Sequence, residues 1–182
     1  MGKVTTAPER ITPEHNVADF TCGVVVLDTW LKERALKNEE SGASRTYVIC
    51  SGGRVVGYYA LAAGSVLNAQ APSAVRRNMP DPSATLPGGR SPGVWRSIPV
   101  ILLGRLAISK AWQGKGLGKA LLRDAVLRTI HASEITGVRA LLVHAISEEV
   151  KSFYQGLGFR ESPVDPMMLA ITIEVAKTSL LS

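Results

Sequence analysis

One turn limits the fold of this chain more than any other feature. Gln113-Gly114-Lys115-Gly116-Leu117-Gly118-Lys119 lies between an apolar run at 100–108 (VILLGRLAI) and a stretch with apolar residues at helical spacing. The run has little alternation and reads as a strand buried on both faces. Residues 116–132 set Leu117, Leu121, Leu122, Ala125 and Val126 along one side of a helix. Three glycines let backbone approach a ligand closely. The helix start offers unpaired N–H groups and partial positive charge, and Lys115 and Lys119 add full charges. The combination suits a pyrophosphate-like anion. A Gly-rich turn that simply precedes a basic helix is the plainer alternative.

The flanking sequence extends this unit into an α/β domain. Residues 24–40 read as an amphipathic helix through Leu27, Trp30, Leu31 and Ala35, ended by Gly42. Residues 46–50 and 55–66 read as strands joined by a Ser51-Gly52-Gly53 turn, most simply a hairpin. Residues 138–146 read as a second buried strand. Residues 147–156 read as a helix with Ser147 as N-cap, acids in its first turn, and Gly158 beyond its end. Residues 167–175 read as a last strand. The order helix, hairpin, strand, helix, strand, helix, strand predicts one domain over 1–182, with a mixed central sheet flanked by helices. The segment at about 68–99 stands apart. It holds six of the ten prolines and reads as a surface excursion with a short helix at 72–78.

Charge is unevenly placed. The net +6 of the 182 residues lies wholly in the middle third. Residues 1–70 are neutral, 71–104 carry +3, 105–128 carry +5 and 129–182 carry −2. A localised anionic partner explains this better than a uniformly basic surface. Two cysteines, Cys22 and Cys50, make no disulfide scaffold and suit a reducing compartment. The two cysteines and three histidines show no metal-ligand spacing, so no metal is expected. The opening residues lack a signal-peptide core, and no apolar run is long enough for a membrane span. A cytoplasmic protein is expected.

Two familiar phosphate motifs fail here. A Walker A loop places Ser or Thr after Gly-Lys, where this chain has Ala120, and needs glycine at the position of Gln113. A dinucleotide fingerprint fits Gly114 and Gly116 but needs glycine at Lys119.

Residues 104–123 instead resemble the coenzyme A-binding core of the GNAT acetyltransferases, whose Gln/Arg-x-x-Gly-x-Gly/Ala pattern is met by Gln113, Gly116 and Gly118. Phe153-Tyr154-Gln155-Gly156-Leu157-Gly158-Phe159 resembles the Phe-Tyr-x-x-x-Gly-Phe segment of the same superfamily. The resemblance then covers nearly the whole chain and narrows to the GNAT toxins of bacterial toxin–antitoxin pairs. It is carried by Phe20–Gly23, Leu27–Leu31, Ser41–Val48, Val56–Leu61 and Ile98–Ala107. Thr21 departs from that pattern, which has Asp or Asn there.

That resemblance implies acetylation of the amino group of aminoacyl-tRNA by acetyl-CoA, with consequent arrest of translation. It also implies neutralisation by a ribbon-helix-helix antitoxin, operator DNA binding only as the toxin–antitoxin complex, a homodimer, and no membrane. Leu106, Ala107 and Ile108 match the strand that pairs with pantetheine, and the Ile108 N–H matches the donor to the thioester oxygen. Gln113, Gly114, Lys115, Gly116, Leu117, Gly118 and Lys119 match the pyrophosphate cradle. Tyr154 matches the general acid for the leaving thiolate, against the alternative of a core tyrosine packed on Phe153. A thiol near 8.5 and a phenol near 10 make that transfer modest.

Other residues stay open at this stage. An α-amine titrates near 7.7–8.0, so a strong base is not needed. His144 is either a base facing the substrate gap or a packing residue. Cys50 ends a strand and reads as structural rather than nucleophilic. Arg76, Arg77, Arg90 and Arg96 read as tRNA phosphate contacts or as a solvated loop. Trp95 either stacks on a base or anchors the loop, and Arg105 either meets substrate or forms an internal ion pair. A small-molecule or protein N-acetyltransferase, and a non-catalytic acetyl-CoA-binding module, are the competing functions.

Overall fold

In the computed structural model, residues 4–77 and 97–181 are described. Among these residues thirteen elements follow in chain order: β1 (Glu9–Arg10), α1 (Val25–Glu33), α2 (Ala35–Ser41), β2 (Arg45–Ser51), β3 (Arg54–Leu67), α3 (Ser73–Arg76), β4 (Ser97–Ile108), α4 (Leu117–Ile135), β5 (Ala140–His144), α5 (Glu148–Gln155), β6 (Arg160–Glu161), β7 (Met168–Thr172) and α6 (Ile173–Leu181). Seven strands form one mixed sheet in the order β1-β2-β3-β4-β5-β7-β6. Helix α4 supplies the crossover that joins the neighbouring strands β4 and β5, as α/β folds require. The chain divides into two compact units, Met1–Ala62 with Leu103–Leu127, and Ala63–Leu102 with Arg128–Ser182.

The first unit contains the β2–β3 hairpin, antiparallel in register from Arg45↔Leu61 to Ser51↔Arg54. Helix α1 buries Leu31 and sets Leu27 and Trp30 against a core of Ile11, Phe20, Val48, Val55 and Tyr58. The Tyr58 ring meets Phe20 edge-on at 5.5 Å and stacks on Trp30 at 5.9 Å. Its buried hydroxyl donates to the Leu27 carbonyl at 2.8 Å, so the aromatic cluster buries no stranded polar tip. On α4, Leu121, Leu122, Ala125 and Val126 are buried as expected for its inner side, while Leu117, expected with them, is only half-buried.

In the second unit, β5 and β7 pair antiparallel from Ala140↔Thr172 to His144↔Met168. Val66, Val75, Ile98, Val100, Leu142 and Ala170 form the core, with Leu102 and Met168 against it. Ser147 caps α5 by accepting the Val150 N–H at 3.2 Å, as its sequence position requires.

The structure differs from the sequence reading at several points. The helix expected at 24–40 is two helices, because Arg34 adopts φ −118° between them and its N–H returns to the Trp30 carbonyl at 2.9 Å. Strand β4 begins at Ser97 and is not buried on both faces: Pro99 and Gly104 are exposed, while Ile98, Val100, Leu103 and Ala107 are buried. The strand expected at 138–146 spans only Ala140–His144. The last strand ends at Thr172 and continues as α6, where apolar Ile-x-Val-Ala spacing serves a helix as readily as a strand. The two-residue strands β1 and β6 carry too little pattern to be read in sequence. The helix expected at 72–78 is α3, four residues long. Residues 78–96, including Arg90, Trp95 and Arg96, lie outside the described residues.

Candidate active site

Strand β4 delivers Leu106, Ala107 and Ile108 to its C-terminal end, with Ala107 and Ile108 buried. Ser109 N–H donates to Val56 O at 2.9 Å, and a 3-10 turn at Lys110–Trp112 leads into the glycine segment. Gly114 and Gly116 have φ +73° and +78°, a left-handed backbone that side chains resist. A Cβ built on either meets nothing within 4 Å, and one on Gly118 meets only Ile108 Cγ1 at 4.0 Å. The first helical hydrogen bond of α4 runs from Ala120 N–H to Gly116 O at 3.1 Å. The N–H groups of Leu117, Gly118 and Lys119 therefore precede the helical ladder, as at any helix start.

The side chains of the cradle divide their work differently from the sequence expectation. Gln113 Nε2 donates to Cys22 O at 2.8 Å and to Ile108 O at 2.9 Å. Both amide hydrogens are used, so Gln113 fastens the turn to the end of β4 and to the loop before α1. That loop is held from its other side by Asp28, whose carboxylate accepts the Cys22 N–H at 2.8 Å and the Thr21 hydroxyl at 3.2 Å. Lys110 N–H adds a bond to Thr21 O at 2.8 Å. Lys115 folds back, with Nζ 3.1 Å from Ala111 O and 5.0 Å above the Trp112 ring. Lys119 is exposed and has no ion pair among the described residues. Cys22 lies 91 positions from Gln113, a separation across which sequence gives no cue to their contact.

In the second unit, Tyr154 sits on α5 with 6% of its surface exposed. Its ring packs against Phe153 at 5.4 Å and Phe159 at 5.3 Å. Its hydroxyl makes no hydrogen bond to a described residue, and burial pushes the phenol up to about 12. The group is thus a retained proton without a competing acceptor. His144 is exposed at the end of β5, and its Nε2 lies 3.2 Å from Asp165 Oδ2. The packing alternative for His144 is overturned, since it is exposed, and its partner is a carboxylate that also accepts the Met167 N–H at 3.0 Å.

Arg76 and Arg77 are exposed at the end of α3. Arg139 joins them, its Nη2 donating to Arg77 O at 3.2 Å across 62 positions of sequence. This third arginine stands alone before β5 and carries no cluster signal in the sequence. Arg90 and Arg96 fall outside the described residues.

Cys50 is buried, and burial with the nearby Glu9 carboxylate raises its thiol, which suits a structural role. Cys22 is pushed up to about 11 by burial and Asp28. Glu9, His15 and Cys50 are the one group among the described residues with metal-ligating atoms close together. His15 Nδ1 accepts the Thr12 N–H at 2.9 Å. Its remaining proton then sits on Nε2, 3.3 Å from Glu9 Oε1, and neither nitrogen offers a lone pair to a cation.

Residues 42–161 match the acetyltransferase (GNAT) domain family. The chain is 46% identical over 172 residues to a tRNA-acetylating toxin of Mycobacterium tuberculosis, covering 94% of this chain and 95% of that protein. It is also similar to AtaT complexed with acetyl-methionyl-tRNAfMet, at TM-score 0.81 and 25% identity over 98% of this chain and 100% of that one. A third similarity is to AtaTR bound with acetyl-CoA, at TM-score 0.76 and 26% identity over 98% of both chains.

Proposed function

Since the chain belongs to the GNAT acetyltransferase family, we propose that it is the toxin of a toxin–antitoxin pair. In this reading it transfers acetyl from acetyl-CoA to the α-amino group of aminoacyl-tRNA and so blocks translation. The observation that carries it is the 46% identity with a tRNA-acetylating toxin across nearly the full length of both chains. The whole chain, 1–182, acts as one acetyltransferase domain. A ribbon-helix-helix antitoxin, a homodimer and a cytoplasmic location belong to the same reading. No helix among the described residues is long and apolar enough to cross a membrane.

Acetyl-CoA supplies an activated thioester. Leu106 and Ala107 offer backbone to its pantetheine arm, and the N–H groups at the start of α4 with Lys119 take its diphosphate. The Ile108 N–H donates to the acetyl oxygen as negative charge grows there, a contribution of roughly 2.7–4 kcal/mol for one such donor. Gln113 holds the Ile108 carbonyl at 2.9 Å and so fixes the peptide beside that donor. The acceptor is an α-amine, neutral in useful fraction near pH 7, and it needs no strong base. This agrees with the absence of a carboxylate from β4. Tyr154 gives its proton to the departing thiolate.

Incubation with acetyl-CoA and charged tRNAs, then mass spectrometry of the released amino acids, is expected to yield N-acetylated amino acids. Acetylation of free amines but never of charged tRNA would overturn the toxin reading in favour of a small-molecule acetyltransferase.

The charge should separate by ligand. Lys119→Ala is expected chiefly to weaken acetyl-CoA binding. Arg76→Ala with Arg77→Ala is expected chiefly to weaken charged tRNA, and to flatten the salt dependence of its KM by roughly one to two logarithmic units per decade. Calorimetry with acetyl-CoA and tRNA kinetics across salt check both. Equal effects on the two ligands would remove this division.

A further inference from the structure

Arg105 lies on β4, three residues before Ile108. Its Cζ stands 4.6 Å from the centroid of the Trp30 ring. Its Nε is buried and has no hydrogen-bond partner. No carboxylate pairs with it among the described residues. Asp28, the acid at the start of the helix that carries Trp30, is engaged with Cys22 N–H and the Thr21 hydroxyl instead. The neighbouring Tyr58 hydroxyl donates to Leu27 O, so it offers Arg105 no anion either. The internal ion pair that the sequence left open is therefore absent among the described residues.

A half-buried guanidinium without a partner is costly to keep, and its cost is recovered when an oxyanion arrives. The Trp30 ring contacts the guanidinium, a group whose several N–H donors suit an oxyanion. The cradle at 113–119 already provides for the acetyl-CoA diphosphate, and it lies beyond Ile108 in the chain. Arg105 lies on the other side of Ile108, about 10 Å back along the strand at ~3.3 Å per residue. An aminoacylated terminal nucleotide, with its amine at the acetyl group, can span that distance with its first phosphate.

We propose that Arg105 binds a backbone phosphate at the 3′ end of the acceptor RNA, a contact that positions the aminoacyl ester for transfer. This rests on the aminoacyl-tRNA reading above. Steady-state acetylation is to be measured on two acceptors carrying the same amino acid: charged tRNA and the phosphate-free aminoacyl-adenosine. Arg105→Met keeps an apolar stem on Trp30 and removes the fork. It is expected to lower kcat/KM on charged tRNA at least ~10-fold more than on aminoacyl-adenosine, the range of one hydrogen-bonded charge. The salt slope on tRNA should fall by about one. Arg105→Lys, which keeps charge but not the fork, should recover part of the loss. Arg105→Gln reads the same ratio if the Met variant does not fold. Equal losses on both acceptors, or an unchanged salt slope, would overturn the proposal. A wild-type protein that acetylates aminoacyl-adenosine but no charged tRNA would overturn the tRNA reading itself.

Discussion

Tyr154→Phe should lower acetyl transfer to charged tRNA by roughly 10²–10⁴-fold, the span of a positioned general acid, while leaving acetyl-CoA binding intact. The ring is wedged between Phe153 and Phe159, and phenylalanine preserves that packing. The hydroxyl has no described partner, so its removal strands no buried donor or acceptor. The variant should therefore melt close to wild type, which separates a chemical loss from a structural one. The pH profile gives a second check. Burial moves the phenol up to about 12, so Tyr154 holds its proton throughout the neutral range. The acid form is complete at low pH and is lost only as pH approaches 12. kcat/KM should accordingly rise with pH as the acceptor amine deprotonates, then stay level through about pH 10. Against a leaving thiolate near 8.5, a phenol near 12 makes the proton transfer steeper than a phenol near 10 would. A correctly folded, fully active Phe variant would remove the general-acid assignment.

What could be read beforehand follows from the range of each interaction. The segment proposed to hold the diphosphate is contiguous, and its glycines, lysines and helix start all fall within seven positions, so the turn and helix start it forms are legible in sequence. Ser147 as a cap and the Ser51–Gly53 hairpin turn were visible for the same reason. The split at Arg34 was not, because Leu31 and Ala35 are both buried and keep a helical spacing across the break. Nor could spacing show that Gln113 turns its amide toward Cys22 and Ile108 instead of toward a ligand. That assignment depends on a loop from a distant part of the chain, itself held by Asp28. His144 illustrates the converse limit. Its strand runs only over Ala140–His144 rather than 138–146; Ala140–Val143 are buried while His144 is the exposed last residue, and one position decides its environment. Arg139 was overlooked because a single arginine before a strand carries no pattern until α3 is packed beside it.

Glu39→Ala is expected to destabilise the first unit strongly. Glu39 is 8% exposed, near the end of α2. Its Oε1 accepts from Arg10, and its Oε2 accepts the Thr46 N–H at 2.8 Å. Arg45 Nη1 lies 3.6 Å from Oε1 and donates to the Glu39 carbonyl at 3.0 Å. One carboxylate thus ties α2 to the first residues of β2 and to β1. The ion pairs alone would not make it critical, since Arg10 and Arg45 are 54% and 45% exposed and can return to water. The Thr46 N–H cannot, because Thr46 is fully buried. Truncation leaves that donor unpaired and opens space beneath the helix. Together with the lost charge-assisted bonds, the cost should be about 3 kcal/mol. For a chain of this length that is roughly 6–12 °C in Tm. Glu39→Gln keeps an acceptor for Thr46 and should lose less. Thr46→Val supplies the opposing test: it keeps the N–H bond to Glu39 and removes a hydroxyl that is buried with no partner. The Thr46→Val protein should therefore match or exceed wild type in Tm, while Glu39→Ala falls well below it. A Glu39→Ala loss under about 1 kcal/mol, the size of an exposed pair, would show that the two arginines and not the Thr46 amide set its value.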